Sequence, residues 1–236
     1  MIYAEILAGG TGKRFKNNIP KQFIKIYGKP IIIYTLEIFV NIDNIDIIVI
    51  CCKNEWKDFI KKEIKEFIKT NKTIIYAESG NDRNKTVING CKEIKRRFGI
   101  NENDIIIIHD GVRPIISEQI IRENIKKAKI YNAVGTYCQV TNTITKITNN
   151  FVEEIPDRKF LYETYTPQTF NLKKLIEYYK TLNKKDLENI TDTAKIFKLN
   201  GEKIYAIMSD SNNIKLTYKN DLNIIKNLIK ERMKND

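Results

Sequence analysis

The chain has 236 residues, 42% hydrophobic and 30% charged, enough apolar side chain to bury one sizeable core and too much for intrinsic disorder. At this length one α/β domain spanning residues 1–236 is expected. Lys and Arg outnumber Asp and Glu by 41 to 29, for a formal net charge of +12; the lysines nevertheless fall singly along helical stretches, as at Lys57, Lys61, Lys62, Lys65 and Lys69, which favours solvated helix faces over a nucleic-acid interface and leaves a general attraction for polyanionic ligands.

Met1–Leu7 carries an acid, Glu5, inside a short apolar run and has no basic leader, so it lacks the form of a signal peptide. No apolar stretch approaches the roughly 18–20 residues that a membrane span needs, and a cytoplasmic enzyme without membrane partners is the expectation. Cys51, Cys52, Cys91 and Cys138 show no C-x-x-C spacing and His109 is the only histidine, which argues against structural zinc and for reduced, mostly buried thiols.

Continuous Ile- and Val-rich runs at Ile2–Leu7, Ile45–Cys51, Thr73–Ala77, Ile105–Ile108 and Ala133–Val140 predict strands buried on both faces. Between them, Ile31–Val40, Glu55–Thr70, Arg83–Phe98 and Glu118–Ile130 have apolar residues at helical spacing. This alternation predicts an α/β fold with a doubly wound, mostly parallel sheet, Rossmann-like in architecture. The pattern breaks near Thr141–Pro156, where Thr143–Ile147 and Phe151–Ile155 alternate around Asn149-Asn150. A protruding β-arm over about residues 141–160 is expected, or else an edge hairpin of the main sheet. Helices are predicted at Leu172–Leu182, Asp192–Leu199 and Asp221–Met233, and a strand at Lys203–Ile207.

Leu7-Ala-Gly-Gly-Thr-Gly-Lys-Arg-Phe15 follows the first strand, so its glycines lie on the first βα turn, where successive backbone N–H groups can converge on an anion. A dinucleotide fingerprint would need a third glycine at Phe15, and a Walker A loop would need Ser or Thr at Arg14. The remaining reading is a triphosphate loop of another kind. Asp110 follows the Ile105–Ile108 strand and should stand at a carboxyl end of the sheet, where open α/β folds bind ligands. A hard carboxylate there suits Mg²⁺. An N-cap aspartate is the alternative, and His109 reads as structural rather than as a base.

The L-A-G-G-x-G-x-R stretch resembles the signature of nucleotidyltransferases that activate sugars and sugar alcohols. Pro20-Lys-Gln-Phe23, Gly80-Asn-Asp-Arg83, His109-Asp-Gly-Val-Arg-Pro114, Thr166-Pro-Gln168, Thr191-Asp192 and Asn213-Ile-Lys215 follow in the order of one branch, which joins the methylerythritol-phosphate and ribitol-phosphate cytidylyltransferases. The resemblance spans about residues 2–230. The opening Met-Ile-Tyr-Ala and Gln168-Thr-Phe-Asn171 are more similar to the ribitol-phosphate side.

The resemblance implies transfer of CMP from CTP to a polyol phosphate, by attack of the acceptor's own phosphate oxygen, with catalysis by positioning and charge neutralisation. It implies Arg14 and Lys21 at the triphosphate, Lys215 on phosphate, and Leu7, Ala8, Gly9, Gly10, Gly12, Gly80, Asn81, Asp82, Arg83, Thr86 and Gly111 around CTP. Cytosine would be read by backbone groups near Ala8, Gly9, Gly80 and Asn81 with the Thr86 hydroxyl nearby. For the acceptor it implies Arg113, Thr143, Thr166 and Thr191, with Arg158 entering a neighbouring subunit's site from the arm of a homodimer. Asn142 departs from the Asp common before Thr143, Gly111 from a frequent Ala, and Asn81 from an acidic residue or Gly. Lys215 is expected on a late strand. A basic nucleic-acid-binding module is the reading of another class, but it gives no reason for Gly9, Gly10, Gly12, Arg14, Lys21 and Asp110 to occur together.

Overall fold

A computed structural model describes residues 1–12, Phe15 and 19–235. In chain order the elements are β1 (Ile2–Leu7), a 3-10 turn (Lys21–Phe23), β2 (Lys25–Ile26), β3 (Lys29–Pro30), α1 (Ile31–Val40), β4 (Ile47–Cys52), α2 (Asn54–Phe67), β5 (Thr73–Glu78), α3 (Arg83–Phe98), β6 (Ile105–Asp110), α4 (Glu118–Ala128) and β7 (Ala133–Gln139). They are followed by β8 (Lys146–Thr148), β9 (Phe151–Glu154), a second 3-10 turn (Arg158–Phe160), β10 (Tyr162–Asn171), α5 (Leu172–Thr181), α6 (Lys184–Asn189), α7 (Ala194–Leu199), β11 (Tyr205–Met208) and α8 (Lys219–Asn235).

Seven strands form one sheet in the order β11-β7-β10-β6-β1-β4-β5, parallel throughout except for β10, which runs antiparallel to both neighbours. Every residue of β4 and β6 is buried, as their unbroken apolar runs require when helices cover both faces. Even-numbered residues of β1, Ala4 and Ile6, pack with α1, α2 and α4. Tyr3, Val49 and Ile106 point the other way into α3, α5 and α7. A third cluster, with Ile26, Ile31, Tyr34, Val112 and Leu216, seats α8 through Ile225 and Ile229.

Local signals set several boundaries. Asp82 caps α3 by accepting from Lys85 N, and Gly99 at φ +73 ends it. Asn149 and Asn150, at φ +51 and +67, form the turn of the β8–β9 hairpin. That hairpin is a separate two-stranded sheet and not an edge of the main one.

The structure adds the β2–β3 pair and α6 to the elements the sequence predicts, and it differs from the expectation at β10 and at Lys215. β10 is a ten-residue strand in the middle of the sheet, although Pro167 lies within it. Lys215 is not on a strand but in the loop between β11 and α8. All four cysteines are free thiols, three of them buried. Among the described residues no helix is long and apolar enough to cross a membrane.

Candidate nucleotide-binding site

The carboxyl ends of β1, β4, β5 and β6 open into a cavity of about 570 Å³. Among the described residues its lining cations, Lys21, Lys53, Arg83 and Lys215, outnumber its acids, Asp82 and Asp110. The surplus of positive charge matches a polyanionic ligand.

The glycine loop forms one wall. Ala8 N donates to Cys51 O at 2.8 Å, which fixes where the loop leaves β1. The Gln22 side-chain amide donates to Ala8 O at 2.6 Å and Gly10 O at 2.9 Å. The N–H groups of Gly9, Gly10, Thr11 and Gly12 make no hydrogen bond to another described residue. Gly9 has a steric reason: a Cβ there would fall 2.6 Å from Ser79 Oγ and nearer still to Ser79 Cβ. The turn after β5 therefore packs directly on the loop backbone.

That turn makes the opposite wall. Gly80 N donates to Thr86 Oγ1 at 3.0 Å, and the Thr86 hydroxyl donates to Asp82 O at 2.7 Å. Thr86 thus shapes the Gly80–Asp82 turn, and its proton is already engaged.

Asp110 ends β6 on the cavity floor, a position set by the buried strand. Its carboxylate meets Lys215 Nζ at 2.9 Å, Arg113 Nε at 3.4 Å and Arg83 Nε at 3.7 Å. Burial raises its pKa, but the charges of Lys215, Arg83 and Arg113 outweigh that and hold it well below the usual carboxylate range. Arg83 also donates to Thr193 Oγ1 at 2.7 Å and Gln168 Oε1 at 3.3 Å, while Gln168 Nε2 donates to Asp192 Oδ2 at 2.7 Å. One chain of contacts so runs from Asp192 to Asp110.

His109 lies behind Asp110 and is fully buried. Its Nε2 is 3.1 Å from Arg113 O, an obligatory acceptor, so that nitrogen carries the proton. Nδ1 then accepts from the Thr166 hydroxyl at 3.0 Å, and Thr166 Oγ1 accepts from Asp110 N at 3.2 Å. Burial, the largest influence, brings the imidazole pKa down to about 4, so the ring is neutral and orients the loop. The Lys215 segment is stitched to the same loop: Arg113 NH1 donates to Asn213 O at 2.6 Å, Leu216 N to Val112 O at 3.0 Å, and Lys21 Nζ to Leu216 O at 2.5 Å.

Of the residues singled out in the sequence, Leu7, Gly9, Gly10, Gly12, Lys21, Gly80, Asn81, Asp82, Arg83, Thr86, Asp110 and Lys215 line this one cavity. Ala8 is buried beneath the glycine loop, and Gly111 is held by its N–H on Leu7 O at 3.0 Å. Arg113 and Thr166 are buried under the floor, Arg113 with its guanidinium 4.6 Å from the Tyr165 ring centre. Thr143 and Arg158 are exposed on the arm, where Arg158 NH1 donates to Thr141 O at 2.9 Å, and Thr191 is exposed ahead of α7. Arg14 lies outside the described residues.

Six further lining residues, Thr11, Phe15, Gln22, Lys53, Val112 and Thr217, are given no role by the sequence. Lys53 carried a usable signal, since it directly follows β4 at the same sheet edge as Asp110. For a metal, Asp110 is the carboxylate on the floor. Among the described residues no cluster of three or more His, Cys, Asp or Glu could hold an ion.

Comparison with known proteins shows the family and the fold. Residues 2–231 match the family described as IspD, 2-C-methyl-D-erythritol 4-phosphate cytidylyltransferase. A ribitol-5-phosphate cytidylyltransferase of Lactiplantibacillus plantarum is 36% identical over 233 residues, covering 98% of this chain and 100% of that protein. The crystal structure of 4-diphosphocytidyl-2C-methyl-D-erythritol synthase from Anaerococcus prevotii superimposes with a TM-score of 0.80 at 24% identity, covering 97% of this chain and 96% of that one. The Francisella tularensis 2-C-methyl-D-erythritol 4-phosphate cytidylyltransferase does so at 0.79, also at 24% identity, over 96% and 99% of the two chains. The chain therefore belongs to the IspD family of cytidylyltransferases, a class of nucleotidyltransferase.

Proposed function

We propose that the chain transfers CMP from CTP to D-ribitol 5-phosphate, giving CDP-ribitol and pyrophosphate, for synthesis of cell-envelope or capsule polymers such as teichoic acid. The observation that carries the acceptor is the 36% identity, end to end, with a ribitol-5-phosphate cytidylyltransferase. The second reading, methylerythritol phosphate as acceptor, is favoured by the description of the matching family. Pyrophosphate release with each nucleoside triphosphate and either polyol phosphate tests both.

In the proposed reaction an acceptor phosphate oxygen attacks the α-phosphorus of CTP in line. A new P–O bond forms as the bond from the α-phosphorus to the bridging oxygen breaks, and that oxygen leaves with pyrophosphate. No covalent residue is needed. The loop N–H groups and Lys21 bind the triphosphate, and Arg14 joins them by its place in the motif. Lys215 and Arg83 supply positive charge beside the floor, where one preorganised donor is worth on the order of 3 kcal/mol.

The donor set fits Mg²⁺ in its usual manner with nucleotides, one protein carboxylate plus substrate phosphates. Asp110, aimed into the cavity and kept ionised, would hold the ion. When bound, the ion would neutralise charge on the phosphate oxygens.

The arm carries a run of exposed apolar side chains, Ile147 62%, Phe151 78%, Val152 62%, Ile155 62% and Phe160 73%. Such a patch supports its covering by a second copy of the chain, as a homodimer. Thr143 and Arg158, exposed and not among the residues lining their own cavity, then serve the acceptor in the partner's site.

A further inference from the structure

Gln22 occupies a place that neither the sequence motif nor family membership explains. The 3-10 turn Lys21–Phe23 starts after Pro20 and sends three successive side chains in three directions. Lys21 reaches the cavity and Leu216 O, while Phe23 stacks on Trp56 with ring centres 4.6 Å apart. Gln22, 2% exposed, turns under the glycine loop and donates from one nitrogen to two carbonyls, at 2.6 and 2.9 Å.

Those carbonyls belong to Ala8 and Gly10, on either side of Gly9. A glycine-rich turn can present either edge of its peptides to a ligand, and carbonyl oxygens facing a triphosphate would repel it. A peptide whose oxygen is tied down presents its N–H on the opposite side. The carbonyls of Ala8 and Gly10 share their peptide planes with the N–H groups of Gly9 and Thr11, which are free toward other described residues. Gln is suited to the task because a side-chain amide has two N–H donors on one nitrogen. Glu at neutral pH would offer only acceptors, and Met of similar length would offer nothing.

We infer that Gln22 is a positioning residue: it holds the glycine loop with its N–H groups toward the triphosphate, and its turn sets Lys21 beside the same phosphates. The inference rests on the proposed reading of the cavity as a CTP site. It places the Gly9 and Thr11 N–H groups at the phosphates and not at the base, where the sequence resemblance put the backbone near Ala8 and Gly9, and that difference makes it testable.

Dissociation constants for CTP and for cytidine are to be measured on the wild type and on Gln22→Met. The CTP value should rise about tenfold or more as the buried Ala8 carbonyl and the Gly10 carbonyl lose their donor, with cytidine changed less than about twofold. Unchanged CTP affinity, or an equal loss for CTP and cytidine, would overturn the inference. If the wild type binds no CTP, the functional reading fails, a result separate from any effect of Gln22. If Gln22→Met does not fold, Gln22→Asn keeps a donor but is one methylene too short to span both carbonyls. A smaller CTP loss with cytidine unchanged then supports the inference, and wild-type CTP affinity or an equal loss of both contradicts it.

Discussion

Lys215 Nζ lies 2.9 Å from Asp110 Oδ2, joining the loop before α8 to the end of the central strand β6. Arg113 and Arg83 approach the same carboxylate, Arg113 from beneath with its side chain 8% exposed. The three cations are not equivalent. Lys215 and Arg83 line the cavity, where a phosphate can recruit them, whereas Arg113 depends on Asp110 to be buried at all.

Lys215→Met should therefore lower kcat/KM about a hundredfold while stability changes by less than about 1 kcal/mol. Asp110→Ala should instead destabilise the fold by about 3 kcal/mol, because it strands the Arg113 guanidinium without its carboxylate. Steady-state kinetics with urea denaturation separates the two. A Lys215→Met enzyme of wild-type activity would remove Lys215 from the site.

His109 sets a pH dependence of known sign. Its folded-state pKa, about 4, lies below the ordinary 6.5, so the unfolded chain takes up a proton first. The resulting stability is present above pH 6.5 and is lost as pH falls through 4, on the order of 3 kcal/mol in all. His109→Gln keeps a donor for Arg113 O and does not titrate. Its stability, followed by denaturation between pH 6.5 and 4, should fall by less than that of the wild type, and parallel curves would refute the assignment.

Glu5 has the opposite sign. It is fully buried on β1, accepts from Cys51 Sγ at 2.9 Å, and leaves Oε2 without a hydrogen-bond partner among the described residues. Burial pushes its pKa up to about 8, against the Cys51 hydrogen bond and the Arg83 charge, so the folded state keeps a proton that the unfolded chain releases. Stability from this group is full below about pH 4.5 and is lost as pH rises through 8, a loss of a few kcal/mol that Glu5→Gln should abolish. Gly90 packs against the carboxyl group, and a Cβ there would meet Glu5 Cδ at 2.7 Å and Cys51 Sγ at 2.9 Å. Gly90→Ala should thus destabilise the protein despite the roughly 0.5–1 kcal/mol that Ala gains over Gly in a helix. Thermal denaturation of both variants, alone and combined, checks the contact.

The arm makes a prediction about assembly. Phe151→Asp with Phe160→Asp should shift sedimentation toward monomer and reduce turnover together. Arg158→Ala mixed with Arg14→Ala, each inactive alone, should regain part of the activity through hybrid dimers. Hybrids that form without any recovery would refute a shared site.

Much of this architecture was legible in the sequence because short-range rules carried it. The helices Ile31–Val40 and Arg83–Phe98 begin and end where their spacing, Pro30 and the Asp82 cap set them. β10 was not legible, since Pro167 argues against a central strand. In the structure Pro167 falls within an irregularity of the β10–β7 pairing, between Tyr165 and Thr169, where its missing N–H breaks no ladder bond. The glycine loop and Asp110 could be read from their place after strands. Gln22, Gln168 and the loop position of Lys215 could not, because their roles come from contacts 12 to 105 residues away in sequence. Hydrophobic periodicity carries no trace of such contacts.

The most direct test of the central claim is the initial rate of pyrophosphate release with Mg²⁺ and CTP, comparing D-ribitol 5-phosphate with 2-C-methyl-D-erythritol 4-phosphate. The account predicts turnover with CTP, higher kcat/KM for the ribitol acceptor, and little with other nucleoside triphosphates. Turnover with methylerythritol phosphate alone would contradict the acceptor assignment, and no release with CTP and either acceptor would contradict the reading of the cavity itself.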